Sequence, residues 1–421
     1  MIYNVDHQLY ATGAGLRNTI RTGITLTEPI NGDALREAVE ITVQRFPYFM
    51  VRIERHGEDM YYVQNNEPLV ITADGHPVKL NSEESNYHLL SFSYKESTLF
   101  IDTSHFLTDG VAKFPFVQLL LYAYLHIVHP EEEFDTTGIP MPGDEISEEE
   151  SVDTPYPDDI IEVQDISKME RPDKVFKIDS QPQGYSGMDE WTSYFLRIPQ
   201  KEMMGYASEV DGSPASFIAC VLYRAISDLN PDNHLPIVCG MQHQFRKALG
   251  NHKSHSSHVI IIPIVFPDSA RDKDVTFLNT LTRGTIILSS DEENDKIAIN
   301  QHVKIARIIK DMSLEQKCKF MGDIVKKAIG ENTFEISYVG RVKWGGLDKY
   351  IKRFSPVIDV TLSGGISVEI FSLGEYFELN IMQSKDDDRY VKRFKEILAE
   401  NNISCYEDPK EKFEIPGFEP L

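Results

Sequence analysis

His105 is the residue of this chain best placed by type and spacing to act as a base. It stands in Ser-His-Phe-Leu-Thr-Asp-Gly, Ser104 to Gly110, between a strand-like run, Ser97 to Thr103, and an apolar helical run, Val111 to Ile127. An imidazole at a strand end, held by the turn that follows, can be aimed into a cavity, and it exchanges protons near neutral pH. Asp109, four residues on, can anchor the turn by accepting backbone or arginine hydrogen bonds, and Gly110 tolerates unusual backbone angles. The plainer reading of a lone histidine on a strand is a satisfied, partly buried ring. What separates the two readings is whether the rest of the chain builds a cavity around His105.

The elements before the motif read as α+β with mostly antiparallel strands. Leu16 to Leu26 is a strand, and Asn31-Gly32-Asp33 is a turn. Asp33 reads as the N-cap of a helix over Ala34 to Arg45, which Pro47 ends. Tyr48–Arg55 with Met60–Gln64, and His88–Tyr94 with Ser97–Thr103, are strand pairs. Between Glu131 and Asp179 the chain changes character, with 17 acidic and 4 basic residues and several prolines. That stretch reads as a long surface connection, partly extended and mobile.

The chain resumes with a strand at Trp191–Ile198 and a helix opened by Ser213-Pro214. Strands follow at Pro236–Gln244 and His258–Phe266, then helices over Val275–Asp311, broken near Ser289–Glu292, and Ser313–Ile329. Thr333–Val339, Ser355–Leu362, Ile366–Phe371 and Tyr376–Gln383 are strands, and Asp387–Glu400 is the last helix. Gly364-Gly365 reads as a hairpin turn, not a phosphate loop, because no helix follows it. The expected division is 1–130 for an N-terminal half carrying the motif, 131–180 for the connection and 181–421 for a C-terminal half.

His105-x-x-x-Asp109-Gly110 resembles the motif of the chloramphenicol acetyltransferase superfamily, which includes condensation domains, alcohol acetyltransferases and BAHD acyltransferases. The likeness extends beyond the motif. Asp33-Ala-Leu-Arg-Glu-Ala-Val followed by Arg45-Phe46-Pro47 looks like the first helix of these proteins. Pro236 to Lys247 is similar to a strand ending in an Arg-bearing turn, and Ile336-Ser-Tyr-Val-Gly340 resembles their Ser-Asn-x-Gly strand. The closing unit, Phe377 to Ile403, fits as well.

The resemblance implies an α+β fold of two similar halves, each a mostly antiparallel or mixed sheet flanked by helices, with a tunnel between them. His105 would lie mid-tunnel and take the proton from an alcohol or amine attacking a thioester carbonyl. Asp109 would pair with an arginine, here Arg246, and only shape the loop. Acyl-CoA, or an acyl-phosphopantetheine on a carrier protein, would be the co-substrate, with no permanently bound cofactor and a small-molecule acceptor. Two departures stand out: many members have a second histidine where Ser104 stands, and Tyr338 occupies the Asn place of Ser-Asn-x-Gly. Ser104, Ser337 and Tyr338 are the candidate tunnel or oxyanion donors. The same fold also suits a non-catalytic binding relative, or a condensation-type enzyme acting on carrier-bound substrates.

Composition narrows the field. The chain has 421 residues, suiting two domains, and a net charge of −24. The acidic excess argues against nucleic acid or an anionic membrane as partner. Four scattered cysteines make disulfides and thiolate zinc sites improbable, and no apolar run is long enough to span a membrane. No signal peptide is legible, so a soluble cytoplasmic enzyme is the expectation, with homo-oligomer formation left open. His243, His252, His255 and His258 form a local cluster without helical spacing or interleaved acids, so no metal is expected there. Arg341, Lys343, Lys349, Lys352 and Arg353 are the densest basic stretch, readable as a phosphate contact for coenzyme A or as a solvated loop.

Overall fold

The computed structural model describes residues 2–14, 17–154, 156–157, 159–163, 171–178, 191–328, 330–360 and 363–421. Parts of the acidic connection, the predicted ends at Leu16, Ile329 and Leu362, and the side chain of Arg341 lie outside them. In chain order the first part contains β1 (Ile2–Asn4), β2 (Thr19–Leu26), α1 (Gly32–Arg45), β3 (Val51–His56), β4 (Asp59–Gln64), β5 (Ile71–Thr72), β6 (Leu90–Lys95), β7 (Thr98–Ser104) and α2 (Phe114–Val128). The second part contains β8 (Trp191–Pro199), α3 (Gln200–Glu209), α4 (Pro214–Leu229), β9 (Ile237–Gln244), β10 (Val259–Phe266), α5 (Val275–Ser289), α6 (Glu292–Ile309) and α7 (Leu314–Ala328). It closes with β11 (Phe334–Arg341), β12 (Ile351–Ile358), β13 (Ile366–Leu373), β14 (Tyr376–Gln383), α8 (Arg389–Glu400) and β15 (Tyr406–Phe413).

Three sheets organise these elements among the described residues. One has the order β10-β9-β11-β13-β14-β8-β15, a second β12-β2-β7-β6-β5, and a small third β1-β4-β3. The large sheet is mixed: β11 runs parallel to both β9 and β13, and its other neighbours pair antiparallel. Strand β12 leaves the second part of the chain and pairs antiparallel with β2, residue by residue from Phe354–Ile24 to Ile358–Ile20. The two lobes are therefore joined by a shared strand as well as by the connection. Gly364-Gly365 lies on the return from that strand to β13, so it is a crossover corner and not the hairpin turn its sequence suggests. Gly364 has φ +76°, and a Cβ there would meet the backbone oxygens of Asn332 and Thr333, so only glycine fits.

Local chemistry explains the helices that frame the site. Asn31, not Asp33, caps α1: its side chain accepts from the amides of Asp33 and Ala34. Both residues are good caps, and the upstream one wins because the helix starts at Gly32. Ser213 forms a capping box with Ser216, and Pro214 opens α4. Helix α2 is buried along most of its length, through Phe116, Val117, Leu119, Leu120, Leu121 and Leu125. An almost wholly apolar helix is stable only between layers, and this one fixes the chain leaving Gly110 against the core. The acidic connection is held at several points: Arg45 pairs with Glu150 at 2.7 Å, Val152 is buried, and the Phe176 amide bonds Pro236 O. Its described parts touch the rest of the protein at these points.

Candidate active site

Strand β7 delivers His105 one residue past its end. The His105 amide donates to Asn18 O at 2.7 Å, which ties the base to the residue just before β2. On the imidazole, Nδ1 lies 3.3 Å from Ser257 Oγ. The ring borders two cavities. The first, about 850 Å³ including its open mouth, has apolar walls from Ile20, Phe114, Val259, Val339, Phe354 and Ile358. The second, about 1000 Å³ on the same measure, is the more polar of the two, with Asn18, Arg171, Ser257, Asn332, Glu335 and Asp359 among its walls. His105, Gln242, Val259 and Ile358 line both, so the two cavities meet at the imidazole.

Asp109 organises the turn. Its Oδ1 accepts from the amides of Val111 at 3.1 Å and Ala112 at 2.9 Å, which stops the chain from fraying before α2. Its Oδ2 accepts from Arg246 Nη2 and from the His258 amide at 3.1 Å. The Arg246 guanidinium also donates to Ser254 O at 3.1 Å and Ser256 O at 2.6 Å. Both partners are buried, at 2 % and 4 % exposure. Burial alone would raise the Asp109 carboxyl, but Arg246 and the Ala112 and His258 amides hold it below its ordinary value. Both of its oxygens are thus spent on protein donors, and little remains for proton transfer. Gly110 has an ordinary backbone, outside the positive-φ glycines, and a Cβ there would meet nothing within 4 Å. Its missing side chain leaves space at the cavity wall; it does not permit the turn, as its position after Asp109 suggested.

Burial also shifts the neighbouring titratable groups. It pushes His105 below the usual imidazole value, against the opposing pull of the Asp109 carboxylate and a bond to its own backbone. A neutral imidazole at pH 7 follows, as a base requires. Two cavity residues escaped the sequence reading. Lys113, buried at the head of α2, donates from Nζ to Thr22 Oγ1 at 2.7 Å and Thr103 Oγ1 at 3.1 Å, and burial pushes it down to about 7. Glu369, in the otherwise apolar β13, is pushed up to about 8 by burial and bonds Ser337. Lys113, a lone cation between the motif and an apolar helix, carried a signal in its position; Glu369, one acid in a buried strand far along the chain, carried none.

The structure brings His105, Asp109, Gly110, Ser337 and Tyr338 to one cavity, with Arg246 behind Asp109. A register shift between Tyr338 and Gly340 lets Ser337, Tyr338 and Val339 all reach the cavity lining. Ser104 does not join them. It is the last residue of β7, lines neither cavity, and buries an Oγ without a hydrogen-bond partner. The other histidines disperse: His243 pairs with Asp295 at 2.8 Å, His255 bonds Ala112 O at 2.7 Å, His258 approaches Ser254 Oγ at 3.0 Å, and His252 is exposed. In the basic stretch, Lys349 pairs with Glu132 and Arg353 with Glu411 at 2.6 Å, so these two are engaged with acids of the chain itself.

No protein-family profile matches the sequence, and no curated protein matches it. Solved structures do. F. sporotrichioides TRI101 complexed with coenzyme A and T-2 aligns at TM-score 0.60 and 10% identity, over 97% of this chain and 99% of that one. Polyketide synthase associated protein 5 from Mycobacterium tuberculosis aligns at 0.57 and 12% identity, over 94% and 96%. The condensation domain of the Monacolin K polyketide synthase MokA aligns at 0.56 and 9% identity, over 95% and 96%. Likeness at this identity is likeness of fold, and it runs the length of the chain: the protein has the two-lobed chloramphenicol acetyltransferase-like fold of acyltransferases and condensation domains.

Proposed function

We propose that this protein is an acyltransferase that moves an acyl group from a thioester to an alcohol or amine, with His105 as general base. The observation that carries the reading is the position of the imidazole at the meeting of two cavities. Such a site lets two substrates approach one base from opposite sides, which is what transfer between them needs. Acyl-CoA is the favoured donor, because TRI101, which shares the fold, is complexed with coenzyme A. A carrier-bound acyl group is the second donor class, supported by the likeness to a condensation domain.

In the tautomer whose Nδ1–H donates to Ser257 Oγ, Nε2 is the nitrogen that takes the proton. As the acceptor oxygen or nitrogen bonds to the thioester carbonyl carbon, its proton passes to Nε2. The tetrahedral oxyanion then collapses, the carbon–sulfur bond breaks, and the thiolate leaves with the proton held by His105. No acyl-enzyme is required. Ser337 is the proposed oxyanion donor. Glu369, whose carboxyl burial pushes up to about 8, is hydrogen-bonded to Ser337 and holds that serine in place at the cavity. Asp109 and Arg246 fix the loop and take no part in proton transfer. The apolar cavity suits the acyl chain and the polar one the acceptor.

Thiol release from a panel of acyl-CoA thioesters, with and without a mixture of small alcohols and amines, tests the reading. Acceptor-dependent release is expected for at least one pair. The absence of turnover across CoA thioesters and acyl-pantetheine carriers alike would contradict it.

A further inference from the structure

Behind the wall of the second cavity, the 3-10 segment His7–Ala14 meets α6, and the junction holds Asp6, His7 and His302. These residues are 4 %, 7 % and 8 % exposed. His302 Nδ1 lies 3.4 Å from Asp6 Oδ2, and His7 Nδ1 lies 3.8 Å from Asp6 Oδ1. The donor atoms of all three lie within 4.8 Å of one another.

Three features make this more than a polar contact. First, Asp6 is a buried carboxylate whose ion-pair partners among the described residues are these two imidazoles, neither of which is a permanent cation. An uncompensated buried charge is costly, and buried charges are paired or bind metals. Second, His302 Nδ1 is buried and makes no hydrogen bond, so its 3.4 Å approach to Asp6 lacks bonding geometry. Third, the surround is built from a hydroxyl donor and aromatic rings. Tyr156 donates to Asp6 Oδ2 at 3.0 Å and stacks on His302 at 4.7 Å, while Phe245 lies 5.5 Å from the same ring.

We propose that Asp6, His7 and His302 bind a divalent transition-metal cation of the zinc type. Two imidazoles and a carboxylate are a ligand set that zinc takes, and bonds of about 2.0–2.1 Å in a tetrahedron place ligand atoms about 3.3–3.4 Å apart. The His302 Nδ1–Asp6 Oδ2 separation already matches that edge, and His7, which faces the other oxygen Oδ1 at 3.8 Å, must turn toward Oδ2 or share a cation held by both oxygens. A water fills the fourth position, and Tyr156 orients the carboxylate from behind. The role is structural: the cation fastens the N-terminal segment to α6, beside Phe245 and so next to the Arg246 that holds the active-site loop.

The test is metal binding by the full chain after removal of metals with EDTA. Titration with cobalt(II) should give visible absorption bands of a tetrahedral site at one equivalent, and zinc should displace them. Asp6→Asn and His302→Gln should each weaken zinc binding by at least the roughly 10–100-fold seen when supporting shells of metal sites are lost. His7→Asn serves as a third variant if either of those fails to fold. A wild-type titration with no such bands would overturn the proposal whatever the variants do. So would zinc affinity unchanged in a folded variant, which would make the cluster a hydrogen-bond network only. Neither result bears on the role of His105.

Discussion

Replacing Asp109 with asparagine separates an anchor from a proton carrier. The amide keeps an oxygen for the Val111 and Ala112 amides but loses the charge that faces Arg246, and it turns an NH2 toward Arg246 and the His258 amide. Breaking one side of a buried ion pair costs about 3–5 kcal/mol, and an unsatisfied buried amide adds about 1–3 kcal/mol. These costs overlap, so about 4 kcal/mol is expected. For 421 residues at roughly 2.1 cal/mol/K per residue, that is a fall in Tm of about 4–5 °C. Arg246→Met should cost a similar amount, and the double variant should cost well under the sum, with a coupling of about 2–3 kcal/mol. Asp109 titrates below its ordinary value in the fold. Its contribution is therefore complete above about pH 4 and is lost as pH falls through the folded pKa, so wild type and Asp109→Asn should converge in acid. Scanning calorimetry and a pH–rate profile of the same variant give the answer. Activity should fall through disorder of the loop, with the shape of the pH profile unchanged. An undiminished Tm together with a displaced pH limb would show that Asp109 takes part in the chemistry and would refute the reasoning.

The remaining predictions concern the cavity. Because burial holds His105 below its ordinary value and the base must be unprotonated, kcat/KM should be flat from pH 7 upward and fall with decreasing pH along one limb whose midpoint lies below about 6.5; a midpoint above that value counts against the assignment. Ser337→Ala should lower kcat by about 10²–10³ with little change in KM if its hydroxyl meets the oxyanion, and a KM-only effect would make it a packing residue. Val259→Trp fills the wall common to both cavities, and should abolish transfer while the protein stays folded; full activity would mean that the two cavities do not serve one reaction.

Much of the fold was legible where local chemistry and pattern agree. Ser213-Pro214 announced α4, and the apolar run after Gly110 announced α2. Elements set by tertiary pairing were less so. Strand β15 is polar and mostly exposed, an edge strand defined by its partner β8 and not by its own sequence. Strand β12 starts earlier than its pattern suggests because it is shaped by β2 in the other lobe. Helix α3 went unread because its ten residues bury only Met203 and Ala207, too few for a periodic stripe. In the site, the His105–Gly110 spacing was visible because a tight turn keeps its residues together in sequence. The Asp109–Arg246 pair spans 137 residues, and only the family resemblance suggested it. Glu369 was hidden for a different reason: it lies far from Lys113 and the motif in sequence, and they meet only at the cavity they share. Asp6, His7 and His302 belong to the same class, since a neighbouring pair and a distant helix show no spacing that a sequence motif could carry.

The central claim is that His105 takes the proton from the acceptor. It is tested most directly by comparing thioester turnover in wild type and His105→Ala on one working donor–acceptor pair. The account predicts a fall in kcat of about 10²–10⁴, the usual worth of a general base, with binding of the thioester retained. Turnover by His105→Ala at the wild-type rate would contradict it.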